Sequence, residues 1–355
     1  MLDPFPIPPP ESFRLYQAIT RVANSFNLPT LPLHAHEVLF ALVFYDFVAQ
    51  TLGPFVSARL FPQTYPKLND RTKINWAVHV VSFVQSIIIN ALSLYVILYD
   101  EERKGWRGDE NWEKRIWGYT GLTGLTQSFA LGYFLWDLYM SSRYLHIFGL
   151  GDLAHAICCC VMFTVGFVRL FSINILMHRL ISSQRPFVHF YCPVFLLHEL
   201  SSPFLNIHWF CDKLGLTGST FQAANGVLLT ATFFGCRLVW GTHGSIAVGR
   251  DVYRAVTTGY TTPQYLGDKI AQSPSFGDMN DPIGQTTAFM KVRYLPLWLG
   301  ASYLIVNLLL TLLNYYWFFQ MIQAIRKRFD PPLGTKGVGE DKKNRLSETD
   351  QKKRK

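Results

Sequence analysis

The stretch LWLGASYLIVNLLLTLLNYYWFF, residues 297–319, carries no charged side chain. A transmembrane helix needs about 20 mainly apolar residues to cross about 30 Å of hydrocarbon. Seven windows of the chain qualify, some with polar interruptions: residues 37–60, 75–99, 118–140, 153–172, 189–209, 223–241 and 297–320. Composition supports this reading. The 355 residues are 49% hydrophobic and only 16% charged, and most of the charge lies in loops and at the C-terminal end. A soluble domain of this length would spread its charge more evenly. The expectation is an all-α membrane protein of about seven transmembrane helices.

The flanks set an expected orientation, because Lys and Arg accumulate on the cytosolic side of short loops. After the first window, ARLFPQTYPKLNDRTK holds Arg59, Lys67, Arg71 and Lys73 against a single acid, and the last window is followed by Arg326, Lys327 and Arg328. Seven crossings put both flanks on one side. The loop DEERKGWRGDENWEKR, with nearly balanced charge, then faces the other side, together with the N-terminal tail. Residues 1–36 begin MLDPFPIPPPESF, lack the basic region of a secretory signal peptide, and read as an irregular tail. Residues 326–355 have no apolar periodicity and read as a disordered, basic cytosolic tail. They end in KKRK, with Lys352 and Lys353 placed as in a dilysine retrieval signal that a coat protein reads. The alternative is a solvated basic tail beside anionic lipid.

Cysteine spacing suggests no zinc site and no disulfide framework, and Cys158, Cys159 and Cys160 read as small packing residues. No metal, no cofactor and no nucleic-acid partner is expected.

The polar residues inside the windows carry the functional reading, because such groups are costly in a bilayer and turn toward a bundle interior or cavity. In NWAVHVVSFVQSIIINALS, Asn75, His79, Ser82, Ser86, Asn90 and Ser93 fall near one face at about 100° per residue. In LLHELSSPFLNIHW, Glu199, Ser202, Pro203 and Asn206 share a face, with His198 beside it. Pro203 has no N–H, so the Glu199 carbonyl should lose its helical partner and the helix should kink. A carboxyl group there must be protonated or paired, and Arg237 in GVLLTATFFGCRLVW is the candidate cation. Asp137 in the third window, and Asp152 and His155 at the start of the fourth, add ionisable groups.

These segments resemble the TLC-domain family. LLHELSSPFLNIHWF is similar to its most distinctive run, and NWAVHVVSFVQS, GYFLWDLYM, GDLAHAICC, NGVLLTATFFGCRL and LLLTLLNYYWFFQMI resemble further segments in the same order over residues 70–325. The likeness is greatest to the small proteins of the TLC domain-containing protein 4 type rather than to the ceramide synthases. It implies a TLC-type helical barrel with a lipid-sized interior, preceded here by an extra helix at 37–60. In the ceramide-synthase branch that interior joins an acyl chain from acyl-CoA to a sphingoid amine, using a His–His pair and acidic residues. Here the pair reads Ala154-His155, and Glu199 stands without a second acid.

The expected function is therefore a multi-pass endoplasmic reticulum protein that binds a membrane lipid or fatty-acyl ligand in a polar-lined cavity and serves lipid homeostasis. Asn75, His79, Ser82, Ser86, Asn90, His198, Ser202, Asn206 and Arg237 are its expected lining. The alternative is a ceramide-synthase-like acyltransferase using acyl-CoA, in which His155 acts with Glu199 and Asp137.

Overall fold

The computed structural model describes residues 17–18, 21–22, 31–167, 187–258, 295 and 297–329. The tail at 1–16, the end of the fourth window at 168–172, and the KKRK terminus lie outside them. Among the described residues every regular element is helical. Contacts divide the chain into two units, Met1–Thr311 and Leu312–Lys355. The description below concerns the first, save for the C-terminal part of the last helix.

The elements run α1 (Leu31–Phe47), a π-helical segment (Val48–Leu52), α2 (Gly53–Leu60), α3 (Asp70–Tyr99), α4 (Glu101–Lys104), α5 (Trp112–Trp117), α6 (Gly121–Arg143), α7 (Leu145–Phe148) and α8 (Leu150–Val165). After residue 187 follow α9 (Cys192–Leu196), a 3-10 segment (Leu197–Ser201), α10 (Ser202–Lys213), α11 (Thr220–Phe233), a second π segment (Phe234–Trp240), α12 (Gly241–Thr257) and α13 (Leu297–Phe329). Helix α1 begins at Leu31, so residues 31–36 are helical rather than part of an irregular tail; a proline at the second position, Pro32, fits a first turn, where its missing N–H would be unpaired anyway. At the other end α13 runs to Phe329, so residues 326–329 continue the helix.

Among the described residues four helical stretches are long and apolar enough to cross a membrane: His34–Leu60, Asp70–Tyr99, Thr220–Thr257 and Leu297–Arg326. They coincide with the first, second, sixth and seventh windows, and they make the chain a multi-pass membrane protein. The remaining three windows are helical over most of their described parts but differ in kind, so the count of seven is not established. Helix α6 is buried over most of its length, including Thr123, Thr126, Gln127 and Ser128. It is enclosed by protein and needs little lipid-facing surface. Helix α8 is 16 residues long. The 189–209 window is broken into short α and 3-10 pieces.

Helices α6 and α8 pack antiparallel, as the short loop between them implies. Gln127 Nε2 donates to the Phe163 carbonyl at 2.8 Å, while Phe134 meets His155 edge-on further along. At the end of the bundle bearing α4 and α5, long-range bonds gather several chain segments. The Arg103 guanidinium donates to the Phe190 carbonyl at 2.8 Å, Val188 N–H to the Ile116 carbonyl at 2.8 Å, and Arg115 to Asp251 at 2.6 and 2.9 Å.

Candidate functional site

Two departures from regular helix build the polar interior. The first is the 3-10 segment Leu197–Ser201, after which Pro203 sits in the first turn of α10, where a missing N–H costs nothing. The expected break is there, but the Glu199 carbonyl is not free. It accepts from the Ser202 N–H, because a 3-10 turn closes over three residues instead of four. The second departure is the π segment Phe234–Trp240, which carries Arg237. Gly241, at its end, lies against His198: a Cβ at Gly241 would stand 2.5 Å from Nε2 of that ring.

Arg237 meets the 3-10 segment head-on. Its Nε donates to Ser201 Oγ at 3.0 Å, and one terminal nitrogen donates to Ser202 Oγ at 3.2 Å and to Glu199 Oε1 at 3.3 Å. Ser202 Oγ in turn donates to Glu199 Oε2 at 2.7 Å. All four side chains are buried. The guanidinium also lies 5.0 Å from the centre of the Phe233 ring, a cation–π contact that lowers the cost of holding a charge away from water.

Beside this cluster, His79 Nδ1 donates to Asn206 Oδ1 at 2.7 Å, and Asn206 Nδ2 donates to Ser82 Oγ at 3.1 Å. The His79 ring stacks on Trp209 with centroids 4.1 Å apart. One turn along α3, Gln85 is fully enclosed, and among the described residues its amide has no hydrogen-bond partner. Elsewhere on the α3 stripe several groups bond within their own helix, while the Asn90 Oδ1 and the Ser93 hydroxyl are buried with no partner among the described residues. Ser86 Oγ donates to the Phe83 carbonyl, Asn90 Nδ2 to the Ser86 carbonyl, and Asn75 Nδ2 to the Arg71 carbonyl. Ser86 and Asn90 are buried; Asn75 lies at the α3 start, away from the cluster.

His155, half-buried on α8, contacts Cys159 Sγ at 3.6 Å from Nε2. No direct hydrogen bond joins His155 to His198 or to Asp137 among the bonds of the described residues. Cys158, Cys159 and Cys160 are free thiols. No group of three or more His, Cys, Asp or Glu side chains among the described residues is arranged to hold a metal ion.

Sequence reasoning missed Ser201 and Gln85, both of which sit one position off the stripes that periodicity singled out. It also missed a second buried cluster. His34 Nδ1 bonds Glu37 Oε2 at 2.8 Å, its Nε2 bonds the Tyr119 hydroxyl at 2.5 Å, and the Tyr119 ring lies 5.4 Å from that of His189. The signal was present as His34 and Glu37 one helical turn apart, just ahead of the first window.

Comparison with known proteins agrees with this architecture. The family description "TLC domain" matches residues 75–323. An uncharacterised TLC domain-containing protein of Schizosaccharomyces pombe is 31% identical over 314 residues, covering 88% of this chain and 86% of its own. Topoisomerase I damage affected protein 4 of Saccharomyces cerevisiae is 26% identical over 89% of this chain and 92% of its own. Human TLC domain-containing protein 4 is 28% identical over 54% of this chain and 66% of its own. No solved structure matches the chain. With the family description covering most of its length and its membrane helices in place, the chain belongs to the TLC-domain family.

Proposed function

We propose that this protein binds a membrane lipid or fatty-acyl ligand in the polar interior around Arg237 and serves lipid homeostasis in the endoplasmic reticulum membrane, with its C-terminus cytosolic. One observation carries the reading: the Arg237–Glu199–Ser201–Ser202 cluster, buried among membrane helices. A buried ion pair contributes little net stability, since desolvation offsets attraction. A stretch holding an Arg, a Glu and two hydroxyls is thus better explained by a polar ligand group than by packing. Arg237 makes one 3.3 Å contact with the carboxylate and donates to two serine hydroxyls, bonds that a lipid headgroup oxygen can replace. The partnerless amide of Gln85 adds a second polar group for such a ligand.

Mass spectrometry of lipids extracted from the purified full chain tests this. A defined lipid class should co-purify and fall away in Arg237→Gln; a lipid complement matching bulk membrane in both proteins overturns it. Placement is tested separately. Lys352→Ser with Lys353→Ser should let part of the protein leave the endoplasmic reticulum, and a C-terminal tag reachable only from the lumen would sink the orientation.

A second reading, acyl transfer from acyl-CoA, draws on the half-buried His155 of α8, held against Cys159 and Phe134. His155 would take the proton from an attacking amine as the C–N bond forms and the thioester C–S bond breaks. The departing CoA thiolate then recovers the proton. Asp137 and Glu199 would stabilise the imidazolium. Turnover of acyl-CoA with a sphingoid base, abolished by His155→Ala, would establish this reading; equal turnover in the variant would refute it.

A further inference from the structure

An apolar groove, outside the Arg237 cluster, lies on the side of the first membrane span. The groove, of about 350 Å³, runs between α1–α2 and α3, from Val48 past Gly53 and Val80 to Leu60, Trp76 and Phe210. Its lining is apolar apart from Ser57, whose hydroxyl is occupied by the Trp76 indole at 2.8 Å. The groove exists because of a local backbone feature. Pro54 has no N–H to give the ladder, and the chain before it widens into the π segment Val48–Leu52, closed by the Gly53 N–H on the Val48 carbonyl. Gly53 forms the floor; a Cβ there would stand 3.3 Å from Val80 Cγ1 and 2.7 Å from the Val48 carbonyl.

Length and charge say what fits. Val48 and Leu60 are twelve positions apart, about 18 Å along a helix at about 1.5 Å per residue. One leaflet of hydrocarbon is about 15 Å thick, half of the about 30 Å core. At the Leu60 end, aromatic rings cluster at the groove mouth, Trp76 against Phe61 and Phe210 with centroids 5.8 and 4.8 Å apart. Aromatic side chains of this kind sit at the headgroup level. The chain leaving that mouth carries Arg59, Lys67, Arg71 and Lys73 against Asp70 alone. Among the described residues none of these four cations is in an ion pair. A groove one leaflet deep, with uncompensated positive charge at its headgroup end, has the features of a phospholipid site. We infer that it holds an acyl chain of one anionic phospholipid, whose phosphate is met by the Arg59–Lys73 segment.

The test uses the purified full chain. Native mass spectrometry after incubation with equal amounts of phosphatidylserine and phosphatidylcholine should show the anionic lipid retained about fivefold more, the factor supplied by about one cation–headgroup contact. Neutralising all four cations (R59Q, K67Q, R71Q, K73Q) should bring the ratio close to one. Val56→Trp, at an exposed lining position, should lower retention of both lipids without unfolding the bundle. In the unaltered protein, phosphatidylserine bearing a photoreactive acyl chain should label peptides within 48–61 and 76–84. Equal retention of the two lipids, an unchanged ratio after neutralisation, or labelling confined to other helices overturns the inference.

Discussion

Two buried arginine–carboxylate pairs in this molecule are built differently. Arg115 and Asp251 meet through two short bonds at 2.6 and 2.9 Å. The carboxylate also accepts from the Tyr191 hydroxyl, and the guanidinium caps the Trp106 carbonyl at 3.0 Å. All three guanidinium nitrogens and both carboxylate oxygens of that pair have a partner, and it ties α5 to α12 at one end of the bundle. Arg237 and Glu199 share one contact at 3.3 Å, and each also bonds to a serine hydroxyl. A bidentate pair with satisfied neighbours is rigid and specific in geometry. A single long contact among hydroxyls can be exchanged for a ligand's oxygen at little cost. The first pair fastens the fold; the second is the one that the proposed lipid site would draw on.

The sharpest way to break that contrast is to remove one arginine from each. Arg115→Met strands the Asp251 carboxylate and should cost about 3–5 kcal/mol, read as a large loss of thermal stability in detergent or of folded protein. Arg237→Met should cost less, about 1–3 kcal/mol, because Ser202 still donates to Glu199. Its main effect should be on bound lipid. If the Arg237 variant proves the less stable of the two, the assignment of roles is reversed. Asn206→Leu removes the partner of both His79 and Ser82 and should cost about 1–2 kcal/mol, the penalty for one orphaned buried group. A thermal midpoint unchanged by that substitution would mean the His79–Asn206 bond is exchangeable with water.

The smallest effect belongs to the exposed counterpart of the Arg115 pair. Asp109 accepts from Arg254 at 3.0 and 3.1 Å, and Arg250 lies 3.6 Å away. The hydrogen bond from Arg254 holds the Asp109 carboxyl below its ordinary value. A depressed acid contributes stability that is present above its unfolded pKa and is lost as pH falls through the folded one. Protection of the amides around 108–112, taken relative to an unstructured peptide at the same pH, should therefore fall only under acid conditions below the usual aspartate range, and 1 M salt should reproduce the change near neutral pH. Protection lost between pH 6 and 8 would point to a different group.

Much of this was legible in advance. The Glu199 stretch announced a break, because Pro203 and a membrane carboxylate are each readable from residue type alone, and Arg237 was identifiable as its cation. His79 and Asn206 were each placed on an inward stripe by helical periodicity. Asn75 was placed on the same stripe, yet its side chain folds back onto its own helix at the α3 start. Periodicity gives a direction around an axis and says nothing of how deep along the axis the neighbouring helices reach.

Membrane class, the helical state of each window and the inward polar faces follow from the sequence by itself, because hydropathy and periodicity are local properties that the bilayer enforces on every turn. The TLC-type likeness rested on the order of short segments and needed no contacts. Only the tertiary structure decided that Arg115 finds Asp251 across 136 positions, and that Tyr119 reaches His34 across 85. It likewise decided that the π segments at Val48–Leu52 and Phe234–Trp240 shift the register, opening a groove at one and aiming Arg237 at the other. Such partnerships depend on which helices become neighbours and on a change of angular phase within a helix, neither of which an ideal 3.6-residue repeat carries.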